Sequence, residues 1–300
     1  MKRNWRSENG SHRILGIAVL CLTLLAGLSS CSNGGGDGGG SLLPPTVVNS
    51  LLDDASPPAG TVTLRSALAA ASPGQRITFD PTLNGGTISL VFVGEEHTVL
   101  IGEVMGFDDA NNISYLVGYF DRDYGKSALF ADKDVVIDAS NLPDGITLSW
   151  DGAEAARVLA VSGDLYLANV TITGGNIAFD VAADVGQHPD DNQTSTLARG
   201  AGIAVWGVAN LVDCTIYDNH GVGDDADTSR DGGAYGGGVY ADTVVIDGCI
   251  VSGNSIVGGG AAGGGVFSVG GRGTALDTST IRSSSITDNR IAGLFAYGAG

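Results

Sequence analysis

Basic side chains are scarce in this chain. Lys and Arg total 15 against 33 Asp and Glu, a formal charge of −18. Such a surface repels phosphate backbones, which argues against a nucleic-acid partner. Charge of either sign is sparse too, at 16% of residues, and windows rich in Lys, Glu and Leu are few. That composition disfavours a helical protein. Long apolar runs are also lacking. The longest, Ile14 to Leu28, is fifteen residues without a charge, too short to span a bilayer comfortably. No P-loop, dinucleotide fingerprint, zinc motif or nucleophile elbow occurs. What the chain does have is Gly, 48 of them, together with Val, Ile, Thr, Asn and Asp. These are strand and turn formers.

The apolar run follows Lys2, Arg3, Arg6 and Arg13 and ends in "LSSC", Leu28 to Cys31. Its length and basic flank suit a signal peptide, residues 1–30. Small residues directly before Cys31 resemble the lipobox of bacterial lipoproteins. The resemblance implies cleavage before Cys31, lipidation of that residue, and a membrane partner reached through acyl chains. Cleavage would leave 11 basic against 32 acidic residues, or −21. Ser32 rather than Asp follows the Cys, a pattern that resembles an outer-membrane address. "SNGGGDGGGS", Ser32 to Ser41, then reads as a flexible tether over residues 31–45.

Elsewhere Gly is positional. Four segments superimpose: "LANVTITGG" from Leu167, "LVDCTIYDN" from Leu211, "IDGCIVSGN" from Ile246 and "IRSSSITDN" from Ile281. Their sixth positions are Ile172, Ile216, Val251 and Ile286, and the last three end in Asn219, Asn254 and Asn289. Gly-entered strings come before the later copies, at Gly200–Trp206, Gly236–Ala241 and Gly263–Ser268. Strands of four to six residues with no helix between them exclude βαβ units. Stacked parallel coils remain, a parallel β-helix over residues 46–300, with like side chains in columns and an Asn ladder at one turn. A β-propeller is the alternative, but it needs about 40 residues in four antiparallel strands per blade. "TLRSALAAASPG", Thr63 to Gly74, reads as a helix capping the open end, and Arg76–Leu83 as the first strand. The chain stops at Gly298–Gly300, where the next copy would begin, so a continuation beyond Gly300 is expected.

The opening "TVTLRSALAAASPGQRITFDPTLNGGTISL", with "VVIDASNLPDGITL" (Val135–Leu148) and "VLAVSGDLYLANVTITGG" (Val158–Gly175), resembles bacterial surface proteins with right-handed parallel β-helix repeats, the pectate-lyase-like superfamily. The likeness covers most of residues 46–300 and departs at Glu95–Ala131, an insertion rich in aromatics. It implies an all-β, right-handed solenoid. Adhesins, passenger domains, and polysaccharide lyases or hydrolases share that fold, so it implies no single chemistry.

Candidate site residues follow from the loops. "YDNHGVGDDADTSRD", Tyr217 to Asp231, gathers Asp218, His220, Asp224, Asp225, Asp227, Arg230 and Asp231. Asp224, Asp225 and His220 are the catalytic candidates for a lyase or glycosidase. Asp224, Asp225 and Asp227 are the candidates for Ca²⁺, which binds through carboxylate oxygens. The spacing matches no EF-hand, and Asp, Asn and Gly dominate surface turns anyway. Trp206, Asp227 and Asp231 are candidates for ligand binding. Trp206 serves as a sugar platform if it points outward and as packing otherwise. His188, beside Asp190 and Asp191, lacks the converging partners of a metal ligand. Tyr115, Tyr119, Phe120 and Tyr124 are expected to pack the insertion. Cys214 and Cys249 share a column and read as two stacked buried thiols rather than a bridge, since side chains in register point the same way. Taken together, the residues favour a lipid-anchored, non-enzymatic surface protein that binds glycans or adheres through its loops. A polysaccharide lyase or glycosidase is the alternative.

Overall fold

A computed structural model describes residues 43–94, 98–108, 113–123, 126–178, 198–223, 233–270, 278–293 and 295–298; in 98–108 and 113–123 only the backbone is described. Cys31, His188, Tyr124, Asp224, Asp225, Asp227, Arg230 and Asp231 lie outside the described residues, as do the side chains of Tyr115, Tyr119 and Phe120.

The protein is mostly β, with parallel sheets and one short α-helix. Among the described strands the pairing is parallel throughout, save for one hairpin and a lone bridge between Ala156 and Asn176. Strands far apart in sequence lie side by side in a fixed register. Ile172 pairs with Ile216, Ile216 with Val251, and Val251 with Ile286. These are the residues that the repeat alignment puts in one column, and the first three are fully buried. A one-residue slip would turn the whole set outward, so burial fixes the register.

Each of the later repeats contributes to four sheets. The largest contains Leu165–Ala168, Ile203–Val212 and Val239–Asp247. The second contains Val170–Thr173, Thr215–Tyr217, Ile250–Ser252 and Ser285–Thr287. The third stacks Asn176–Ala178, His220–Val222, Ser255–Val257 and Arg290–Ala292. The fourth stacks Ala198–Arg199, Gly233–Tyr235, Gly260–Ala262 and Phe295–Tyr297. This arrangement is compatible with a β-helix or solenoid.

Three columns of left-handed backbone turn the chain between sheets. One is Asn169, Asp213, Gly248 and Ser283; the next is Gly174, Asp218, Gly253 and Asp288. The first admits Asn, Asp and Ser and the second Asp, and Asn and Asp tolerate this conformation better than other side chains. The third is Gly200, Gly236, Gly263 and Gly298, glycine throughout. A Cβ on Gly200 or Gly236 would lie 2.0 or 2.2 Å from the carbonyl oxygen three residues on. No side chain fits there, so these glycines are structural punctuation.

The expected Asn ladder is present. Asn219 Nδ2 donates to Asn254 Oδ1 at 2.9 Å, and Asn254 Nδ2 to Asn289 Oδ1 at 3.0 Å. The same oxygens accept the backbone N–H of Asn219 and Asn254. Each amide also meets the glycine at the third position of a Gly-entered string. A Cβ on Gly202 or Gly238 would stand 3.0 Å from the amide carbon of Asn219 or Asn254, and one on Gly265 would stand 2.8 Å from that of Asn289. This contact closes a neck. Beyond it lies a small apolar cluster of Ile177, Ala198, Ala201, Ala234, Ile256 and Ala261, separate from the main core.

A second ladder uses sulfur. The Cys214 N–H donates to Cys249 Sγ at 3.2 Å, and the Cys249 N–H donates to Ser284 Oγ at 3.0 Å. Each thiol in turn donates to carbonyls of its own and the preceding repeat. Both thiols are free and buried, as the column reading expects.

At the other end the helix spans Leu64–Ala70, shorter than Thr63–Gly74. Thr63 caps it, with Ser66 bonding back, and Leu64, Ala67 and Leu68 are buried. The strand expected over Arg76–Leu83 stops at Phe79, because Asp80 caps a 3-10 turn with Pro81 in its first turn. Another strand, Thr46–Val48, precedes the helix and pairs with Arg76–Phe79. Arg65 ties these pieces together. Its guanidinium bonds both oxygens of Asp53, at 2.6 and 3.0 Å, and the carbonyls of Phe92 and Ala128. Thr98–Asp108 and Ile113–Asp123 pair as an antiparallel hairpin within the segment that departs from the resemblance. Among the described residues no helix is long and apolar enough to cross a membrane.

Two outcomes follow. Asn254→Ala strips bonds from buried partners and should lower stability by roughly 3 kcal/mol in urea unfolding. Gly238→Ala should also destabilise, and the double variant should lose less than the sum, since both open one neck. Separately, stacking on Cys249, and burial after it, raise the Cys214 thiol well above its usual range. A thiol raised in the folded state keeps its full contribution below its unfolded value, about 8.5. Cys214 should therefore contribute a loss of stability above that pH, opposed by Cys249, whose thiol the same contact lowers. Cys214→Ser should flatten this alkaline decline in unfolding curves measured from pH 7 to 10.

Candidate functional site

Outward side chains also form columns. Along Ile203–Val212, Ile203 and Val205 point into the core, while Ala204 and Trp206 join Ala160 and Phe130 in a separate outer cluster. Register then sets Tyr240 beside Ala204 and Phe267 beside Tyr240. The result is an aromatic row climbing from repeat to repeat. Trp206 and Tyr240 have ring centroids 6.2 Å apart, and Tyr240 and Phe267 are stacked at 5.9 Å. Tyr235, reaching over from the fourth sheet, tilts against Phe267 at 4.8 Å.

Two of the scarce cations join the row. The Arg157 guanidinium lies 5.8 Å from the Trp206 ring centre, and that of Arg199 lies 5.4 Å from the Tyr240 ring centre. Arg157 is buried and held by Ser127 Oγ and the Arg199 carbonyl. Trp206 therefore points outward, as a sugar platform requires, yet only 8% of it is exposed. Its face is taken up by neighbours. Tyr235 and Phe267 are only half-buried and offer the accessible aromatic surface.

The third sheet carries a different column. Asn176, His220, Ser255 and Arg290 follow one another in register, one per repeat. Beside them run Val222 and Val257, which are 43% and 38% exposed. His220 Nδ1 and Ser255 Oγ are 2.7 Å apart.

The structure thus brings His220 together with Ser255, a residue not singled out from sequence. The signal was available: His220, Ser255 and Arg290 each follow the ladder Asn at the 35-residue spacing. Asp218, grouped with His220 in the loop reading, instead occupies a left-handed corner. Phe267 lies inside a Gly-entered string and Tyr235 directly before one, and nothing in the sequence alone marks either as a site residue. Among the described residues no group of three or more His, Cys, Asp or Glu is arranged to hold a metal ion. Comparison with known proteins finds no matching family model, curated protein or solved structure.

Proposed function

We propose that the chain is a lipid-anchored cell-surface protein whose body is a right-handed parallel β-helix with a short capping helix, and that it binds glycan on its flank. The observation that carries the reading is the half-buried Tyr235–Phe267 pair at the head of the aromatic row. Aromatic faces stack on the C–H faces of sugars, and a rigid sheet fixes their spacing without an ordering cost at binding. The acidic composition agrees with a partner other than nucleic acid. The lipobox-like "LSSC" and the Gly-rich tether after it support an anchor at Cys31 and an outer-membrane address.

A glycan array followed by titration of the best binder tests the reading. Phe267→Ala and Tyr235→Ala should each weaken binding about tenfold, the equivalent of 1.4 kcal/mol. Trp206→Ala should leave affinity nearly unchanged. Blank arrays, or affinity indifferent to both half-buried rings, would reject it. Ca²⁺-dependent cleavage of an acidic polysaccharide, lost in Asp224→Ala and Asp225→Ala, would assign a lyase or glycosidase instead. For the anchor, Cys31→Ser should move the protein from the membrane fraction to the soluble one and abolish metabolic labelling with a fatty acid.

A further inference from the structure

We propose that Ser255 is a nucleophile, activated by His220, that acts on carboxylic esters. The claim is independent of glycan binding at Tyr235 and Phe267, which involves other sheets.

The geometry comes first. A hydroxyl becomes a useful nucleophile when a base lies within about 2.6–3.2 Å of its proton. His220 Nδ1 meets that requirement at 2.7 Å from Ser255 Oγ. The two residues are neighbours only because the strands His220–Val222 and Ser255–Val257 are stacked in register. Their backbones are tied at both ends of the pairing. The Ser255 N–H donates to the Asn219 carbonyl at 2.8 Å, and the Gly223 N–H donates to the Val257 carbonyl at 2.7 Å. Directly before them run the buried, hydrogen-bonded Asn219 and Asn254. The dyad therefore stands beside a buried, hydrogen-bonded corner, which limits how far its backbones drift apart.

The surroundings are chemically ordered. On the far side of Ser255 from His220, the register partner is Arg290. That puts a cationic residue one repeat from the nucleophile, with a long, exposed side chain that can swing to a developing oxyanion. Val222 and Val257 supply an exposed apolar shoulder along the same strands. An ester has the matching halves: an apolar acyl group and a carbonyl oxygen that gathers negative charge. The acids nearest in sequence are Asp218 and Asp288, at the corners two residues before His220 and Arg290. Among the described residues Asn176, His220 and Arg290 are exposed and Ser255 partly so, which lets an ester carried on an extended polymer lie along the column. With water not excluded, the acceleration is limited to what a positioned base provides.

In the reaction, Ser255 Oγ bonds to the ester carbonyl carbon as its proton passes to His220 Nδ1. The carbonyl π pair moves onto oxygen beside Arg290. Collapse of the adduct breaks the bond to the alcohol oxygen, which takes the proton from His220. Water then gives a proton to His220 and bonds to the acyl carbon. Ser255 Oγ departs and recovers that proton, so ester and water become acid and alcohol.

The test uses the full chain with p-nitrophenyl acetate and, in parallel, a fluorophosphonate reagent read by peptide mass spectrometry. Ser252 and Ser285 act as internal controls on the neighbouring sheet. Ser255 should be modified about 100-fold faster than either, the lower range for a positioned base. His220→Gln should bring Ser255 down to their level, with an unchanged urea midpoint. Ser255→Ala should abolish turnover. Labelling of Ser255 no faster than the controls, or labelling indifferent to His220→Gln, would overturn the proposal, as would hydrolysis that survives Ser255→Ala.

Discussion

The contact between a buried amide and a bare backbone sets the rest of the structure. At each level an Asn side chain fills the space that a glycine leaves, and Asn254 uses all four of its hydrogen-bonding positions up and down the stack. Neither partner can change alone. A larger residue at the glycine would meet the amide or the carbonyl of the next level, and a smaller one at the Asn would leave buried N–H groups without acceptors. The main core needs no such care, since Ile, Leu and Val columns pack by shape and tolerate exchange, as Val251 between two isoleucines illustrates. Register is therefore fixed twice, by the polar column and by burial of the apolar ones, while the apolar columns carry the bulk of the stability.

Chemistry on the flanks is a by-product of that register. Because like positions stack, any outward residue is brought beside the residues one repeat away, whatever their sequence distance. Tyr240 meets Phe267 in this manner, and His220 meets Ser255. Such neighbours are as rigid as the sheet beneath them. Surface sites can thus arise by single substitutions on a scaffold that already supplies the geometry.

Much of the scaffold was legible in the sequence. The column of Ile172, Ile216, Val251 and Ile286, the Asn ladder and the paired free thiols all follow from aligning four short segments, because burial and hydrogen bonding repeat wherever the residues do. The early part was less legible. Arg76–Leu83 contains a proline-bearing turn that alternation alone does not reveal, and the hairpin near residue 110 breaks the parallel rule locally. The sites were least legible. Asp-rich loops drew attention by composition, whereas Ser255, Arg290 and Tyr235 look ordinary until stacking gives them neighbours. The outward direction of Trp206 fits simple alternation, but its being covered depends on Arg157 and Tyr240 from adjacent levels.

The closed neck has one more consequence. Between the third- and fourth-sheet strands, from Ala178 to Ala198, from Val222 to Gly233 and from Val257 to Gly260, the repeats use very different numbers of residues. Since the strands on either side pair in register with the next repeat, the number of residues between them leaves the levels above and below unaltered. Foreign peptide could be grafted there, and evolution could lengthen or trim each excursion independently, so that diversity accumulates on one side of the molecule while the opposite side stays constant.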